Sequence, residues 1–277
     1  MSLLVVGSLH LDVVLRAPHL PGLDETVAGS SVDYVFGGKG GNQALAAARM
    51  GADVTFAGRA GSDRFGDMLR DVLTASTVDT GLLQRDAGPS GMSAAILNDD
   101  GDYGAVIVSA ANLNIDADEV VLPDGTALVL LQNEIPEAVN LAVARKAKGA
   151  GAQVWLNAAP ARALPDGLAA MLDVMMVNRV EAEFYGADDA MTTLGADGVS
   201  YRGVHHPGFP VQTVSTHGAG DMFVGALAAE VLRGQGVEDA IPFAQAAAAL
   251  HVSSDLDARA ALGPGEVAAF MNGSQGK

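Results

Sequence analysis

The chain contains no cysteine, which excludes structural disulfides and thiolate chemistry. Basic residues are also scarce: 16 Lys and Arg stand against 33 Asp and Glu, for a net charge of -17. Nucleic acid and anionic membranes carry phosphates that such a surface repels, so neither is expected as a partner. Any phosphate the protein binds must be held locally, by backbone N–H groups, single lysines or a bridging cation. No apolar run approaches the roughly 18–20 residues of a membrane span, and Met1-Ser2-Leu3-Leu4-Val5-Val6-Gly7 lacks the basic start of a secretory leader. A cytoplasmic location is therefore expected. Several motifs are missing too. There is no phosphate-loop G-x-x-x-x-G-K-[ST], no complete G-x-G-x-x-G and no G-x-S-x-G elbow. His10, His19, His205, His206, His217 and His251 show no zinc spacing.

What is present is an α/β rhythm. With 277 residues, 49% of them hydrophobic, the chain can bury one large core. Leu3 to Gly7 is a short apolar run of the buried-strand kind, whereas 12–16 and 31–36 are half apolar and suit a sheet with one wet face. Segment 93–109 reads as a hairpin about the turn at 98–102. Asn42 to Met50 is Ala-rich and closes at Gly51, predicting a tightly packed helix. Further on, strands at 127–132, 153–157 and 174–178 alternate with helices predicted over 136–148, with Pro136 in the first turn, and over 164–172. This alternation implies βαβ units and a mainly parallel sheet covered on both faces. One domain over 1–277 is expected, with the half-wet strands at 12–16, 31–36 and 93–109 forming a small β lid.

Two glycine-rich stretches carry the chemistry. In Gly218-Ala219-Gly220-Asp221 small residues precede an acid at the start of a helical pattern. The unpaired N–H groups of a helix start, with their partial positive charge, form an anion site. An acid seated there is kept ionised by the helix dipole and can accept a proton from a hydroxyl. In Gly37-Gly38-Lys39-Gly40-Gly41-Asn42-Gln43-Ala44, Lys39 and Asn42 offer donors and an acceptor suited to a polyol. His10, Asp12 and Glu134 follow predicted strands, where ligands of α/β sheets bind. Asn178 and Glu181 share a helix face; they read either as a capping pair or as holders of magnesium through water. The glycines of Thr193-Leu194-Gly195-Ala196-Asp197-Gly198 suit either nucleotide contact or a plain turn.

In this order, these stretches make the chain resemble the ribokinase-like carbohydrate kinases of the pfkB type, over nearly its full length. Gln132-Asn133-Glu134-Ile135-Pro136, Asn157-Ala158-Ala159-Pro160 and the helix 243–249 fall in family order between and after the two signatures. The resemblance implies a three-layer sandwich with a β lid, and ATP-dependent phosphoryl transfer to a sugar hydroxyl. By the same resemblance Asp221 is the general base, and Gly218, Ala219 and Gly220 form the anion hole. His10, Asp12, Gly38, Lys39, Asn42 and Glu134 fall on the sugar side. Asn178, Thr193, Gly195, Gly198, Thr216 and Gln245 fall on the nucleotide side, with Glu181 near magnesium. The chain departs from the family at His10, where Asn is usual in ribokinases. It departs again at Ser215, where an acid is usual, and around Ala258-Arg259, where Gly-Ala is usual; these two weigh against potassium activation. Only Val180 to Thr192 separate two motifs that relatives join through a further helix and strand. A nucleoside acceptor and a non-catalytic sugar-binding relative are the alternatives, and the open lid edges point to a homodimer through the lid.

Overall fold

The computed structural model describes residues 1–98, 103–186 and 188–274. Strand β1 (Ser2–Val6) leads directly into β2 (His10–Arg16) and β3 (Ser31–Gly37), then into helix α1 (Lys39–Arg49). Next come β4 (Val54–Gly61), α2 (Arg64–Thr74), β5 (Asp79–Asp86) and the pair β6 (Met92–Leu97) and β7 (Tyr103–Val108). The second half alternates: β8 (Thr126–Gln132), α3 (Glu137–Gly149), β9 (Gln153–Asn157), β10 (Val174–Asn178), α4 (Arg179–Tyr185) and β11 (Met191–Thr193). A hairpin of β12 (Val199–Tyr201) and β13 (Val204–His206) precedes four helices, α5 (Ala219–Leu232), α6 (Val237–Ser253), α7 (Leu256–Ala260) and α8 (Pro264–Ser274).

Two sheets result. Nine strands lie in the order β13-β12-β11-β10-β9-β8-β1-β4-β5, parallel except for the terminal hairpin. From β1 the chain builds outward through β4 and β5, then returns to β8 on the other flank. The switch point therefore falls between β1 and β8, and their carboxyl ends are where a ligand crevice forms. The second sheet, β3-β2-β6-β7, grows from that same end, since β2 continues β1 after three residues.

Strand alternation divides the core. Leu3 and Val5 of β1 face α1, α5, α6 and α8, while Leu4 and Val6 face α3 on the other side. On the first face α1 and α5 touch backbone to backbone. A Cβ on Gly225 would lie 2.6 Å from Ala46 Cβ and 2.7 Å from Ala47 N. One turn earlier on each helix lie Asp221 and the pair Asn42 and Gln43, so this contact seats the acid beside the amides.

The structure differs from the sequence reading in four places. Helix α1 begins at Lys39, three residues before the predicted start, so Gly40 and Gly41 are helical rather than loop. They serve packing: a Cβ on Gly40 would lie 2.6 Å from Gly7 Cα, and one on Gly41 2.6 Å from Leu9 and Phe36. Segment 164–172 forms only a 3₁₀ turn at Ala169–Met171, because Gly167 takes φ 84° and interrupts the pattern. Pro136 is the N-cap of α3 rather than part of its first turn. Between Asn178 and Thr193 the chain fits the seven-residue α4 and the three-residue β11. The short gap thus holds both a helix and a strand. Strands β6 and β7 pair antiparallel as expected; turn residues 99–102 lie outside the described residues.

Candidate active site

Asp221 sits in the first turn of α5 and is buried. Gln43 Nε2 donates to its Oδ1 at 2.9 Å and Asn42 Nδ2 to its Oδ2 at 3.5 Å. Behind them Gln132 Nε2 donates to Gln43 Oε1 at 2.9 Å, and Asn140 Nδ2 donates to the Gln132 carbonyl at 2.9 Å. Gln43, Gln132 and Asn140 are wholly buried, so this amide relay holds the acid in one orientation. Burial pushes the Asp221 carboxyl above the usual carboxylate range, against the opposing pull of the Lys39 ammonium and the Gln43 hydrogen bond. The helix dipole alone had pointed the other way; desolvation outweighs it here.

Helix α5 opens at Gly218, whose φ of 75° only glycine adopts without strain. The Ala219 N–H turns back to the Thr216 carbonyl at 3.2 Å. Among the described residues, the N–H groups of Gly220 and Asp221 take no partner, and nothing lies within 4 Å of where a Gly220 Cβ would be. They face a cavity of about 160 Å³ lined by Lys39, Asn178, Glu181, Thr193, Thr216 and Asp221 among others. Such a cradle, with one lysine at its rim, fits a phosphoryl group.

Beyond Lys39, outside the lining of that cavity, Glu134 follows β8. Its Oε2 accepts the Lys39 N–H at 2.8 Å and the Ser8 hydroxyl, and His10 Nδ1 lies 3.9 Å away. His10 is buried and, among the described residues, its Nε2 has no partner. Asp12 accepts the Ser93 hydroxyl across the small sheet. Its Oδ2 lies 2.2 Å from where a Gly37 Cβ would stand, so a methyl there would push the Asp12 carboxylate aside. Gly38 is the N-cap of α1, with φ 91°.

The nucleotide-side candidates divide. Asn178, Thr193 and Thr216 line the cavity with Glu181. Asn178 and Glu181 form a capping box at the start of α4: Asn178 Oδ1 accepts the Glu181 N–H at 3.0 Å and Glu181 Oε2 accepts the Asn178 N–H at 2.7 Å. The described residues contain no cluster of three metal-ligating side chains. A divalent ion would therefore depend on water and substrate phosphates for most of its shell. Gly195 and Gly198 shape the turn after β11 with φ of 64° and 105° and do not line the cavity. Gln245 is turned away, donating to the His206 carbonyl at 2.9 Å. Gln43 and Gln132 were missed as site residues. Their signal was polarity out of place, an amide in the Ala-rich face of α1 and another closing an apolar strand.

Comparison with known proteins gives the family and the fold. Residues 1–260 match the description "pfkB family carbohydrate kinase". The chain is 33% identical to the ribokinase of Haemophilus influenzae, covering 91% of this chain and 92% of that one. It is 34% identical to the ribokinase of Bacillus subtilis, with coverages of 91% and 93%. Among solved structures, ribokinase from Thermotoga maritima superimposes with TM-score 0.87 at 27% identity, over 98% of this chain and 99% of that one. Arabidopsis thaliana ribokinase complexed with ribose and ATP superimposes with TM-score 0.87 at 26% identity, over 98% of both chains.

Proposed function

The chain belongs to the pfkB family of carbohydrate kinases, with the fold and ATP-dependent activity of a ribokinase-like sugar kinase, and we propose that its transfer step runs through Asp221. A small sugar lies in the cup between α1 and the four-stranded sheet, which acts as a lid within one domain. Asp12, the Gly38 backbone, Lys39, Asn42 and Glu134 take its hydroxyls, and the unpartnered Nε2 of buried His10 supplies one further contact. Asp221 accepts the proton of the attacking hydroxyl. The raised affinity of its buried carboxylate for a proton suits that task. The Ala219 N–H of the predicted Gly218-Ala219-Gly220 anion hole is taken by the Thr216 carbonyl, so the open amides of Gly220 and Asp221, with the Lys39 ammonium, stabilise charge on the transferred phosphoryl group, and alignment and neutralisation carry the reaction. Magnesium, when bound, neutralises charge on the nucleotide phosphates, and Asn178 and Glu181 would hold it through water. Thr193, Thr216 and the Gly195–Gly198 turn border the nucleotide, and Gln245 supports that side from behind.

The observation carrying this reading is the free amides of α5 and the Asp221 carboxylate opening on one cavity with Lys39. A panel of pentoses, hexoses and nucleosides, assayed for ADP release with Mg-ATP and with or without potassium, tests it. Turnover on a small sugar is expected, without need of potassium. Turnover on nucleosides alone would replace the acceptor, and sugar binding without any turnover would remove the kinase reading. The reading places the enzyme in the cytoplasm, where ATP is supplied, and among the described residues no helix is long and apolar enough to cross a membrane. The lid leaves Val32, Tyr34, Val106 and Val108 exposed, and a second copy of the chain packs there. A single-chain mass by light scattering would exclude that assembly.

A further inference from the structure

The segment ahead of the α5 amides has few fastenings of its own, and nearly all of them come from the end of α6 and from α7. Val214 N–H and Ser215 N–H both donate to the Val252 carbonyl, at 2.7 and 3.1 Å. His251 Nε2 bonds the His217 carbonyl at 2.9 Å, so that nitrogen carries the proton. Arg259, on α7 and 8% exposed, completes the set. Its Nε donates to the carbonyls of His251 at 2.7 Å and Ser254 at 3.1 Å, and its Nη2 to the Ser215 carbonyl at 2.9 Å. Among the described residues it takes no carboxylate partner.

A buried guanidinium without a carboxylate costs far more than a surface one, unless its charge is met by dipoles. Three carbonyl oxygens supply those dipoles, and they belong to two separate stretches of chain. The group also faces a second cavity, of about 220 Å³, shared with Gly218, Asp221, His217, His251 and Arg49. The charge therefore borders the turn at Gly218 that aims the α5 amides.

We infer that Arg259 is the resident cation of this loop, a positioning residue whose guanidinium gathers the carbonyls of Ser215, His251 and Ser254 and so fixes the turn at Gly218. This rests on the kinase reading only for its effect on turnover. Its effect on loop order does not depend on that reading. Removing the guanidinium leaves a carbonyl-lined space of the kind that accepts a small monovalent cation, so the defect is open to chemical rescue.

The experiment compares wild type, Arg259→Lys and Arg259→Ala. Amide hydrogen exchange over 212–222, on protein without sugar or nucleotide, is expected to quicken in Arg259→Ala and less so in Arg259→Lys. With substrates, kcat is expected to fall by at least about tenfold in Arg259→Ala, less than the about 10²–10³ lost when an oxyanion donor itself is removed, because here the donors are only misaimed. The KM for sugar should be unchanged, and millimolar guanidinium ion or potassium should restore part of kcat. Unchanged exchange in Arg259→Ala overturns the inference, as does a kcat loss that neither added cation relieves. Should Arg259→Ala fail to fold, Arg259→Lys decides by the same exchange measurement. A wild-type protein that phosphorylates no sugar would sink the kinase reading alone, since the exchange result would still stand.

Discussion

Two helices aim their N-termini at the site, and they begin in the same way. Both α1 and α5 have glycine at the N-cap, with φ of 91° and 75°, and neither N-cap has a capping side chain. They differ in what meets the free amides. At α1 the Glu134 carboxylate accepts the Lys39 N–H and the Ser8 carbonyl accepts the Gly41 N–H, while Gly40 lies against Gly7 with no room for a Cβ. At α5 the Gly220 and Asp221 amides have no partner among the described residues, and open space surrounds Gly220. The first helix start is thus an anion site filled by the protein's own carboxylate, a wall of the site. The second is the same device left open for a substrate.

The largest break in this comparison comes at the acid of the open end. Asp221→Asn should lower turnover by about 10²–10⁴, the range for a lost general base, with sugar affinity retained in calorimetry. Stability should move the other way. Because the folded protein raises the Asp221 pKa, the stability linked to its protonated form is lost as pH rises through that folded value. At neutral pH the asparagine variant should therefore melt above wild type. Full activity in Asp221→Asn would end the assignment of the base.

Matched alanines then separate the two helix starts. Gly40→Ala drives a Cβ to within 2.6–2.7 Å of the Gly7 and Ser8 backbone. It should cost about 1–3 kcal/mol in denaturant unfolding, as overpacking does. Gly220→Ala meets nothing, and alanine favours a helix over glycine, so its stability should hold or rise. Its penalty should appear in kcat or in the KM for ATP, by about tenfold, as the methyl crowds a phosphoryl group whose hydrogen bonds are worth that much. Equal loss of stability in both variants would erase the distinction.

Much of this was legible in the sequence. The apolar runs of β1, β8, β9 and β10 and the half-wet strands of the small sheet are written in their period. The acid after Gly218-Ala219-Gly220 announces a helix start. What stayed hidden depends on approach between segments far apart. Gly225 looks like any helical glycine until Ala46 and Ala47 lie against it, and only then do Gln43 and Asp221 meet. Likewise Glu134 reads as a strand-end acid offered to a ligand, although its carboxylate also caps a helix 95 residues away in the chain. The direction of the Asp221 shift was misjudged because sequence shows the dipole and not the burial. Arg259 was read only as a departure from a family pattern, since its partners come from three separate positions.

The smallest expected effect lies in the turn that serves the open end. His251 donates to the His217 carbonyl through Nε2. Burial, first of all, holds its pKa below the usual histidine value, and the neighbouring charges of Arg259, Arg49 and His217 add to this, against the raising effect of the His217 carbonyl. In the unfolded chain the ring titrates near about 6.5. Stability is therefore complete above that value, begins to fall as pH drops past it, and stops falling once the folded ring is itself protonated. His251→Gln keeps an N–H for the His217 carbonyl and removes the titration. Melting curves from pH 8 to pH 5 should show wild type losing more than His251→Gln, with the two nearly parallel above pH 7. Curves parallel over the whole range would mean that this ring does not govern the acid sensitivity of the loop.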